Sequence, residues 1–423
     1  MINAILPGTY VEVRAGETQS LQSTTGVVMM PLALDWGDKV TAIKKGDDTL
    51  YTLGYKIYDL KMKLVNEVMN YADQLIIYRL NDGVKATATL ASGITATALY
   101  GGTRGNDLSV TVEDNTGSFT IKTFLGTLEV DSQVVTSVDG FRPNLFLDIT
   151  GTGTLAAKTV KLTGGTSTEA NSEAFSGFFG EAPKHSYNVL CYTGTDAEIA
   201  QSIIGFVKEQ RENGDMVQAV LSTNTAPNDK AIINNTVGGI TANYELTAAE
   251  ACATMAGIQA AQGIEGSATF YDVAGWQDVN PRLNKVQQEI RTQNGEILFV
   301  YRHGKVMVLY DINSLTTYTE QDPESFRKNL VVRTIDKYAM DLQVLLDTKV
   351  IGKIRNSVDG RNQIKGLIAD MTIKNYSDTG AVEGFSADDI TVSPGTVKDS
   401  VVVTVGLQVT DTADKIYITV TAQ

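Results

Sequence analysis

Residues 26–32, Gly26-Val27-Val28-Met29-Met30-Pro31-Leu32, form a continuous apolar run near the start of the chain. A short run of this kind, bounded by glycine and closed by proline, predicts a fully buried strand. A second run, Leu75-Ile76-Ile77-Tyr78, follows a segment from Ile57 to Ala72 whose apolar residues recur at helical spacing. A helix that leads into a buried strand is typical of an α/β layer. We therefore expect a folded core that begins at residue 26.

The same alternation of helix and strand returns in the middle of the chain. The predicted elements are a strand at 187–192, a helix at 196–213, a strand at 217–221, a helix at 247–262 opened by a Thr247 and Glu250 capping box, a strand at 268–271, a helix from Asn280-Pro281 to Gln293, and a hairpin around His303-Gly304-Lys305. We interpret residues 26–84 and 166–320 as one α/β core domain.

Residues 85–165 interrupt this pattern with a different composition. Thr, Gly, Ser and Val dominate, and short alternating runs such as Leu108-Ser109-Val110-Thr111-Val112 are separated by turn sequences such as Asp114-Asn115-Thr116-Gly117. Alternation with turn residues at short intervals predicts a compact all-β domain. Because the α/β pattern resumes afterwards, we interpret this domain as an insertion into the core.

The C-terminal part begins with the longest predicted helix. Residues 323–353 place apolar side chains at helical spacing, and Gly352 provides a stop signal. A basic cluster follows in an otherwise acidic chain, and its members are Lys353, Arg355, Arg361 and Lys365. This cluster is either a solvated face or an electrostatic contact with an acidic partner.

Strand-like segments lie near both ends of the chain. Thr9 to Arg14 alternates near the N-terminus, and Val401 to Val409 and Ile416 to Val420 follow the same pattern near the C-terminus. These strands either fold back onto their own sheet or pair with a neighbouring molecule, and composition does not choose between the two. The expected fold class is a multidomain α+β or α/β protein, with an α/β core, an inserted all-β domain, and extended N- and C-terminal β-strand arms.

Composition and charge exclude several classes of protein. The 423 residues contain 35 Lys and Arg against 49 Asp and Glu, a formal net charge of −14, and 43% of them are hydrophobic. That hydrophobic content supports packed cores and excludes a disordered chain. The acidic balance opposes a nucleic-acid partner, which needs clustered Lys and Arg. With neither an apolar run of roughly 18 residues nor a basic, apolar leader at Met1 to Tyr10, we expect a cytosolic chain without a membrane anchor.

Residues with catalytic or ligand-binding chemistry are scarce. Cys191 and Cys252 are interpreted as buried free thiols, and no zinc, P-loop or serine-hydrolase motif occurs. Asp35-Trp36-Gly37-Asp38 lacks the ligand spacing of a calcium loop and is interpreted as a surface turn. We therefore predict no catalytic, cofactor-binding or metal-binding residues, and no cofactor. A cytosolic α/β enzyme of unknown activity and a Thr/Gly-rich surface-layer or adhesin-type structural protein remain as alternatives.

Several short motifs occur in a characteristic order along the chain. Pro7-Gly8-Thr9-Tyr10-Val11 comes first, followed by Gly26-Val27-Val28 and Asp35-Trp36-Gly37. A hairpin at 294–309, a helix at 327–341 and the closing Asp414-Lys415-Ile416-Tyr417-Ile418-Thr419-Val420 complete the set. In this order and position the motifs resemble those of contractile phage tail sheath proteins, including the sheaths of phage-tail-like bacteriocins. The resemblance spans the chain except the inserted β domain.

The resemblance implies a structural subunit that is not an enzyme. Such subunits polymerise in six-fold rings around an inner tube and contract to drive the tube through a bacterial envelope. The implied partners are other copies of the chain, the inner tail tube protein, and baseplate and tail terminator proteins. The implied location is a virion tail or a bacteriocin particle assembled in the cytoplasm of the bacterial host, with the inserted domain on the outside.

The resemblance also implies roles for particular segments. Residues 1–25 and 412–423 would be arms that exchange strands between subunits, and residues 321–411 an inner domain with the long helix. The exchanged strands would be Tyr10, Val11, Glu12 and Val13 together with Ile416, Tyr417, Ile418, Thr419 and Val420. The receiving sheet would contain Val401, Val403, Val405, Leu407 and Val409. Gly16 to Thr25 and Asp411 to Asp414 would act as flexible linkers, and the basic cluster is the predicted contact with the tube.

Overall fold

The computed structural model describes residues 25–421, and its first elements alternate between strand and helix. They are β1 (Val27–Leu32), β2 (Val40–Lys44), α1 (Thr49–Leu53), α2 (Lys63–Met69) and β3 (Gln74–Arg79). The buried strand at 26–32 is confirmed, and it pairs in parallel with β3 over its whole length. Pro31 lies inside this strand, opposite Tyr78, and does not end it.

Residues 83–167 contain eight strands in two antiparallel sheets. They are β4 (Gly83–Ala91), β5 (Ile94–Gly101), β6 (Leu108–Asn115), β7 (Ser118–Leu125), β8 (Leu128–Val135), β9 (Leu147–Gly151), β10 (Lys158–Lys161) and β11 (Thr166–Ser167). The strand orders are β10-β6-β7-β8 and β11-β4-β5-β9. Because the inward side chains of both sheets share one hydrophobic cluster, this segment is a sandwich.

Helix and strand alternate again between residues 172 and 308. The elements are α3 (Ser172–Glu181), β12 (Val189–Cys191), α4 (Ala197–Glu212), β13 (Gln218–Leu221), β14 (Ile232–Asn235), β15 (Gly238–Thr241), β16 (Glu245–Leu246), α5 (Cys252–Ala261), β17 (Trp276–Asn280), α6 (Lys285–Gln293), β18 (Glu296–Ile297), β19 (Phe299–Arg302) and β20 (Lys305–Val308). Four of these strands, β12, β13, β14 and β18, join β1, β2 and β3 in a seven-stranded sheet of order β18-β14-β13-β12-β1-β3-β2, in which only β2 runs antiparallel to its neighbour. The strands β16-β15-β17 form a separate sheet, and β19 pairs with β20. We call this part of the molecule the α/β unit.

The α/β unit has three layers because alternate side chains of β1 face opposite sides of the sheet. Val28 and Met30 pack in the cluster that contains the apolar residues of α2 and α5. Val27 and Met29 pack in a second cluster, with α3 and α4. Cys191 and Cys252 are free and fully buried in the first cluster, and burial raises the pKa of both thiols. The predicted buried thiols are therefore confirmed.

The C-terminal unit follows in the same chain. Its elements are α7 (Asn329–Lys349), α8 (Val358–Thr372), β21 (Val382–Glu383), β22 (Ile390–Pro394), β23 (Val401–Val405) and β24 (Gln408–Val409). The strands form two separate antiparallel pairs, β22 with β23 and β21 with β24. The predicted continuous run from Val401 to Val409 is thus divided at Gly406 and Leu407, and its two parts have different partners.

Several predicted helix boundaries are wrong. The helix expected at 57–72 is limited to α2, and a 3₁₀ turn at Leu60–Met62, capped by Asp59, precedes it. The helix expected from Asn280-Pro281 begins at Lys285, because β17 extends to Asn280 and the capping box forms between Asn284 and Gln287.

A predicted strand and another predicted helix also differ from the structure. The strand expected at 268–271 is a turn, in which Phe270 has a φ of 57°. The helix expected from residue 323 begins at Asn329, after a 3₁₀ turn at Glu324–Arg327. At 268–271 tertiary contacts overrode the local apolar pattern, since the Phe270 N–H donates to the Val308 carbonyl at 2.8 Å and the Ala268 N–H donates to Asp311 at 2.9 Å.

Trp36 joins the α/β unit to the sandwich. Its indole is 1% exposed and packs against Phe146, with ring centroids 6.0 Å apart, inside the hydrophobic cluster of the sandwich. Asp35 beside it accepts a hydrogen bond from Thr103 at 3.1 Å. The predicted surface turn at 35–38 is therefore wrong, because Trp36 is buried between two parts of the chain that are distant in sequence.

A glycine at the end of α1 gives a test of this junction. Gly54 has a φ of 77°, and a Cβ there would lie 2.8 Å from the Trp36 ring. We expect Gly54→Ala to lower the free energy of unfolding by about 2–3 kcal/mol, because left-handed strain adds to displacement of the indole. The control is Gly275→Ala, at a φ of 80° with no atom within 4 Å, which should cost only about 1 kcal/mol. Urea denaturation followed by tryptophan fluorescence measures both, and equal losses would contradict the role of Trp36.

Candidate assembly surfaces

The last residues of the described chain leave the body of the subunit. Thr410 is the final residue with a backbone pairing to the C-terminal unit, through its N–H to the Ala381 carbonyl at 3.0 Å. Residues 415–421 show no backbone hydrogen bond to the rest of residues 25–421. The segment expected to be an exchanged strand is exposed: Ile416 by 76%, Tyr417 by 92%, Ile418 by 79% and Val420 by 87%. An apolar, strand-like segment that contacts so little of its own subunit is suited to pairing with another surface.

The β22–β23 hairpin offers two open strand edges. Within residues 25–421, each of its strands pairs only with the other, from Ile390 opposite Val405 to Pro394 opposite Val401. One face packs on α7 and α8, because Val403 and Val405 join the cluster around Ile364 and Ile368. The outer main-chain groups of both strands are therefore free to accept an added strand.

The remaining members of the predicted receiving sheet lie beyond this hairpin. Leu407 and Val409 pack in a second small cluster, around Tyr338 and Tyr376. Val401 is half-buried at the end of β23, and Leu407 lies between the two strand pairs. The structure thus brings Val401, Val403 and Val405 together on one hairpin, and Val409 belongs to the other strand pair, although Val405 also contacts its cluster. Tyr10 to Val13, and the linker at Gly16 to Thr25 except for its last residue, lie outside the described residues.

Lys328 holds the base of the C-terminal tail. Its side chain is 9% exposed and forms ion pairs with Asp411, at 3.3 Å, and with Asp414. Its Nζ also lies 4.7 Å from the centroid of the Tyr310 ring. Burial lowers the pKa of Lys328, but the hydrogen bond to Asp414 and the surrounding groups outweigh it and raise this pKa above its ordinary value. Asp411 to Asp414 is therefore attached to the body, and the expectation of a free linker there is wrong.

A buried carboxylate ties α7 to the α/β unit. Asp311 is fully buried and accepts hydrogen bonds from Gln259 at 2.8 Å, Asn329 at 2.8 Å and the Ala268 N–H at 2.9 Å. Arg333 on α7 lies 3.3 Å from the same carboxylate. Burial raises the pKa of Asp311, but the Arg333 charge and these hydrogen bonds outweigh it and lower this pKa below its usual range.

A second ion pair makes the same connection one turn further along α7. Arg211, in the last turn of α4, donates to both carboxylate oxygens of Asp336, at 2.6 and 2.7 Å. A bidentate arginine contact fixes orientation as well as distance. The N-terminal half of α7 is therefore rigidly joined to the α/β unit.

The basic cluster lies where α7 gives way to α8. Lys353 and Arg355 are exposed in the connecting turn, and Arg361 and Lys365 lie one turn apart and half-exposed on α8. Arg361 donates a hydrogen bond to Asn356 at 2.8 Å, and Lys353 contacts the Thr348 carbonyl. Among residues 25–421, none of the four takes part in an ion pair. The structure thus brings the cluster together, and its contact with the tube stays a prediction.

Over the described part of the chain, no helix combines the length and apolarity that crossing a bilayer requires. The same residues contain no group of three or more His, Cys, Asp or Glu side chains arranged to hold a metal ion.

Comparison with known protein families accounts for nearly the whole chain. Residues 25–80 match the tail sheath protein Gp18 domain III N-terminal region, and residues 81–169 match the phage tail sheath protein beta-sandwich domain. Residues 164–314 match the phage tail sheath protein central domain, and residues 321–423 match the phage tail sheath C-terminal domain. These matches define the class of protein as a structural component of a tail.

Individual relatives agree with these matches. The chain is 31% identical to the phage-like element PBSX protein XkdK of Bacillus subtilis, over 94% of this chain and 93% of that protein. It is 30% identical to the sheath tail protein of Desulfitobacterium hafniense, whose crystal structure superposes with a TM-score of 0.86 over 97% of this chain and 99% of that one. The chain belongs to the phage tail sheath family, and the resemblance inferred from its motifs is confirmed.

A more distant structure shares the fold. The helical sheath of the anti-feeding prophage, solved in its contracted state, superposes with a TM-score of 0.58 at 12% identity and covers 99% of this chain. The mixed helix and sheet architecture is therefore that of tail sheath structures.

The sequence predicts the arms and the basic cluster, but it does not indicate the residues that hold residues 411–414 and the start of α7 in place. Lys328, Tyr310 and Asp311 are distant in sequence from the residues that they contact, and folding brings them together, so no local pattern marks them. A buried lysine or aspartate has no periodicity of its own, so only the tertiary structure identifies it.

Proposed function

We propose that this chain is the repeating subunit of a contractile sheath, which forms six-fold rings around an inner tube and shortens to drive the tube through a bacterial envelope. Membership of the tail sheath family supports the sheath role, and the fold shared with a sheath solved in its contracted state supports contraction. In this role the subunit works without catalysis or a cofactor, in a virion tail or bacteriocin particle assembled in the host cytoplasm. Its other partners are the tube, baseplate and tail terminator proteins.

The observation that carries this proposal is that one subunit has both an exposed strand-like tail and a hairpin with open edges. Residues 416–420 have the length of β23 and lack a partner strand within residues 25–421, while β22 and β23 each present an open edge. Two edges accommodate two added strands, one from each arm, Tyr10 to Val13 and Ile416 to Val420. Main-chain hydrogen bonds supply the affinity of such an exchange, and alternate side chains supply the register.

Strand exchange also explains how subunits stay linked while they move. A pair of strands keeps its hydrogen bonds when the domains around it rotate as rigid bodies, provided that a flexible segment absorbs the rotation. At the C-terminal end Lys328 holds Asp411 and Asp414. Lys415 is therefore the flexible residue between the body and the exchanged strand, which begins at Ile416. Because no nucleotide drives the motion, the extended sheath is metastable and is held by a barrier until the baseplate releases it.

The proposed sheath also assigns each unit of the chain to the inside or the outside of the ring around the tube. The C-terminal unit, which carries the hairpin and the basic cluster, lies on the inside, and the sandwich lies on the outside. The sandwich is suited to an outer position because its contact with the rest of the chain is local, through Trp36 and its neighbours.

Electron microscopy of the purified full-length chain tests the proposal. Hollow cylinders built of stacked six-fold rings are the expected result. Uniform small particles at all protein concentrations and salt conditions would contradict it.

The basic cluster gives a separate test of the tube contact. If it faces an acidic surface of the tube, the double variant Arg355→Glu and Arg361→Glu should reduce co-assembly with the tube protein by at least about tenfold at 50 mM salt. The wild-type chain should lose co-assembly as salt rises, because exposed charges are screened beyond about 10 Å at 0.1 M. The control is Lys285→Glu, an exposed basic residue on α6. Unchanged co-assembly and salt sensitivity in the double variant would remove the idea of a tube contact here.

A further inference from the structure

The C-terminal tail is anchored at a single buried side chain before it leaves the subunit. We propose that Lys328 is a positioning residue for the exchanged arm: with Asp411 and Asp414 it forms a clasp that sets the point and direction from which residues 415–421 leave the body. This inference rests on the proposed strand exchange and adds to it the element that aims the arm at the neighbouring subunit.

The clasp is a compact turn around one ammonium group. Asp411 and Asp414 approach Lys328 from the tail, and the Tyr310 ring covers it from the α/β unit. Thr412 closes the turn, with its hydroxyl donating to Asp414 at 2.8 Å and its carbonyl accepting from the Asp414 N–H at 3.0 Å. Asp414 is only 11% exposed in its side chain, so the pair is shielded from solvent on both sides. A shielded pair resists screening by salt far more than a surface pair does.

Lys328 is fixed in the α/β unit and does not move with the tail. It pairs with Ile312 across an isolated bridge, and the residue after it, Asn329, is bonded to buried Asp311. The chain just before the clasp belongs to the C-terminal unit instead, because Thr410 is bonded to Gly380 and Ala381. The clasp therefore ties the base of the arm to both units, so the direction of the arm reports their relative position.

Losing the clasp would lengthen the free arm. With the clasp, residues 415–420 are the segment of the arm that is free of the body. Without the clasp, the free segment is residues 411–420. A longer tether lowers the effective concentration of the strand at its receiving hairpin, and residues 411–414 must then be ordered on binding. We expect a rise in the critical concentration for polymerisation of at least about tenfold, with no change in the fold of the subunit.

The test compares removal of the clasp from its two sides. One variant is Asp411→Asn with Asp414→Asn, which alters only the tail, and the other is Lys328→Met. The control is Lys63→Met, which breaks the ion pair with Glu250 at 2.6 Å in a region remote from the tail. Polymerisation is measured by sedimentation. The free subunit is also treated with trypsin, because Lys415 lies directly after the clasp and cleavage there needs a locally extended chain.

The expected results are specific to a clasp. Both variants should be cleaved after Lys415 at least about tenfold faster and polymerise about tenfold less readily, while the control matches the wild type. The variant that combines all three substitutions should be cleaved no faster, and polymerise no less readily, than either variant alone, because the two sides act through one contact. Unchanged cleavage, or losses that multiply in the triple variant, would overturn the clasp.

A further variant separates this inference from strand exchange itself. Deletion of residues 416–423 leaves the clasp intact and removes the arm. If the variant that lacks residues 416–423 polymerises normally, the proposed strand exchange is wrong, and so is the proposed role of the clasp in assembly. If the deletion abolishes polymerisation while the clasp variants polymerise as the wild type does, only the clasp is overturned.

Discussion

Deleting residues 416–423 is expected to give a folded monomer that no longer polymerises. Residues 416–421 make no backbone hydrogen bond to the body and expose most of their apolar surface, so their loss should move the melting temperature by less than about 2 °C. In the polymer the same segment would contribute four or five main-chain hydrogen bonds, each worth roughly 1 kcal/mol, in addition to buried Ile and Tyr. The critical concentration should therefore rise by at least about a thousandfold, as measured by sedimentation and electron microscopy.

Proline substitutions distinguish main-chain pairing from simple adhesion of apolar side chains. Neighbouring residues in a strand direct their N–H groups to opposite sides, so either Tyr417→Pro or Ile418→Pro should remove a donor that faces the hairpin. The one that loses this donor should raise the critical concentration by about tenfold, a part of the effect of the deletion. Ile418→Thr keeps the N–H group and the β-branched shape, and should assemble with a much smaller loss. If both prolines polymerise as the threonine variant does, the arm does not act through its backbone.

Asp311→Ala is expected to cost about 3–5 kcal/mol of stability, the largest effect of any single substitution proposed for the fold. The change leaves the Arg333 guanidinium buried without its counter-ion and leaves the donors of Gln259 and Asn329 unpaired. The joint between α7 and the α/β unit should loosen with it, which faster hydrogen exchange along α7 would show. The control is Asp272→Asn, at a pair with Lys305 in which both side chains are at least half exposed, and it should cost less than about 1 kcal/mol. A loss below about 1 kcal/mol in Asp311→Ala would contradict the proposed joint.

The lowered pKa of Asp311 predicts that the stability of the folded chain depends on pH. The pKa of Asp311 is lower in the folded chain than its value of about 3.9 in the unfolded chain, so near this pH the unfolded state binds more protons. The stability that Asp311 contributes is therefore complete above about pH 5 and is lost as pH falls through the lowered folded pKa. Denaturation curves between pH 6 and pH 3 should have a shallower acid slope in Asp311→Ala than in the wild type. Identical slopes would mean that Asp311 does not titrate differently in the two states.

Local patterns determined much of the secondary structure from the sequence alone. The buried strands β1 and β3, the helix α4 with its Asp196 cap, and the hairpin around His303 and Gly304 were all predictable, because each depends on periodicity or turn chemistry within a few residues. The exposed character of residues 416–420 was predictable in part, since an unpaired apolar strand at a terminus must find a partner.

Only the tertiary structure decided which distant residues meet. Trp36, which the sequence predicts in a surface turn, is buried between the α/β unit and the sandwich. Residues 411–414, which are predicted to be a flexible linker, are held by Lys328, 86 residues before Asp414. Such contacts leave no local signal, because burial of a single Trp, Lys or Asp depends on the packing of elements far apart in the chain. Local sequence patterns and the order of motifs were thus enough to predict the family and many of the elements, whereas the exchange of the arms stays a prediction. The packing of distant elements settled where residues 411–414 are attached and how α7 is joined to the α/β unit, because buried ion pairs form only where the fold brings their partners together.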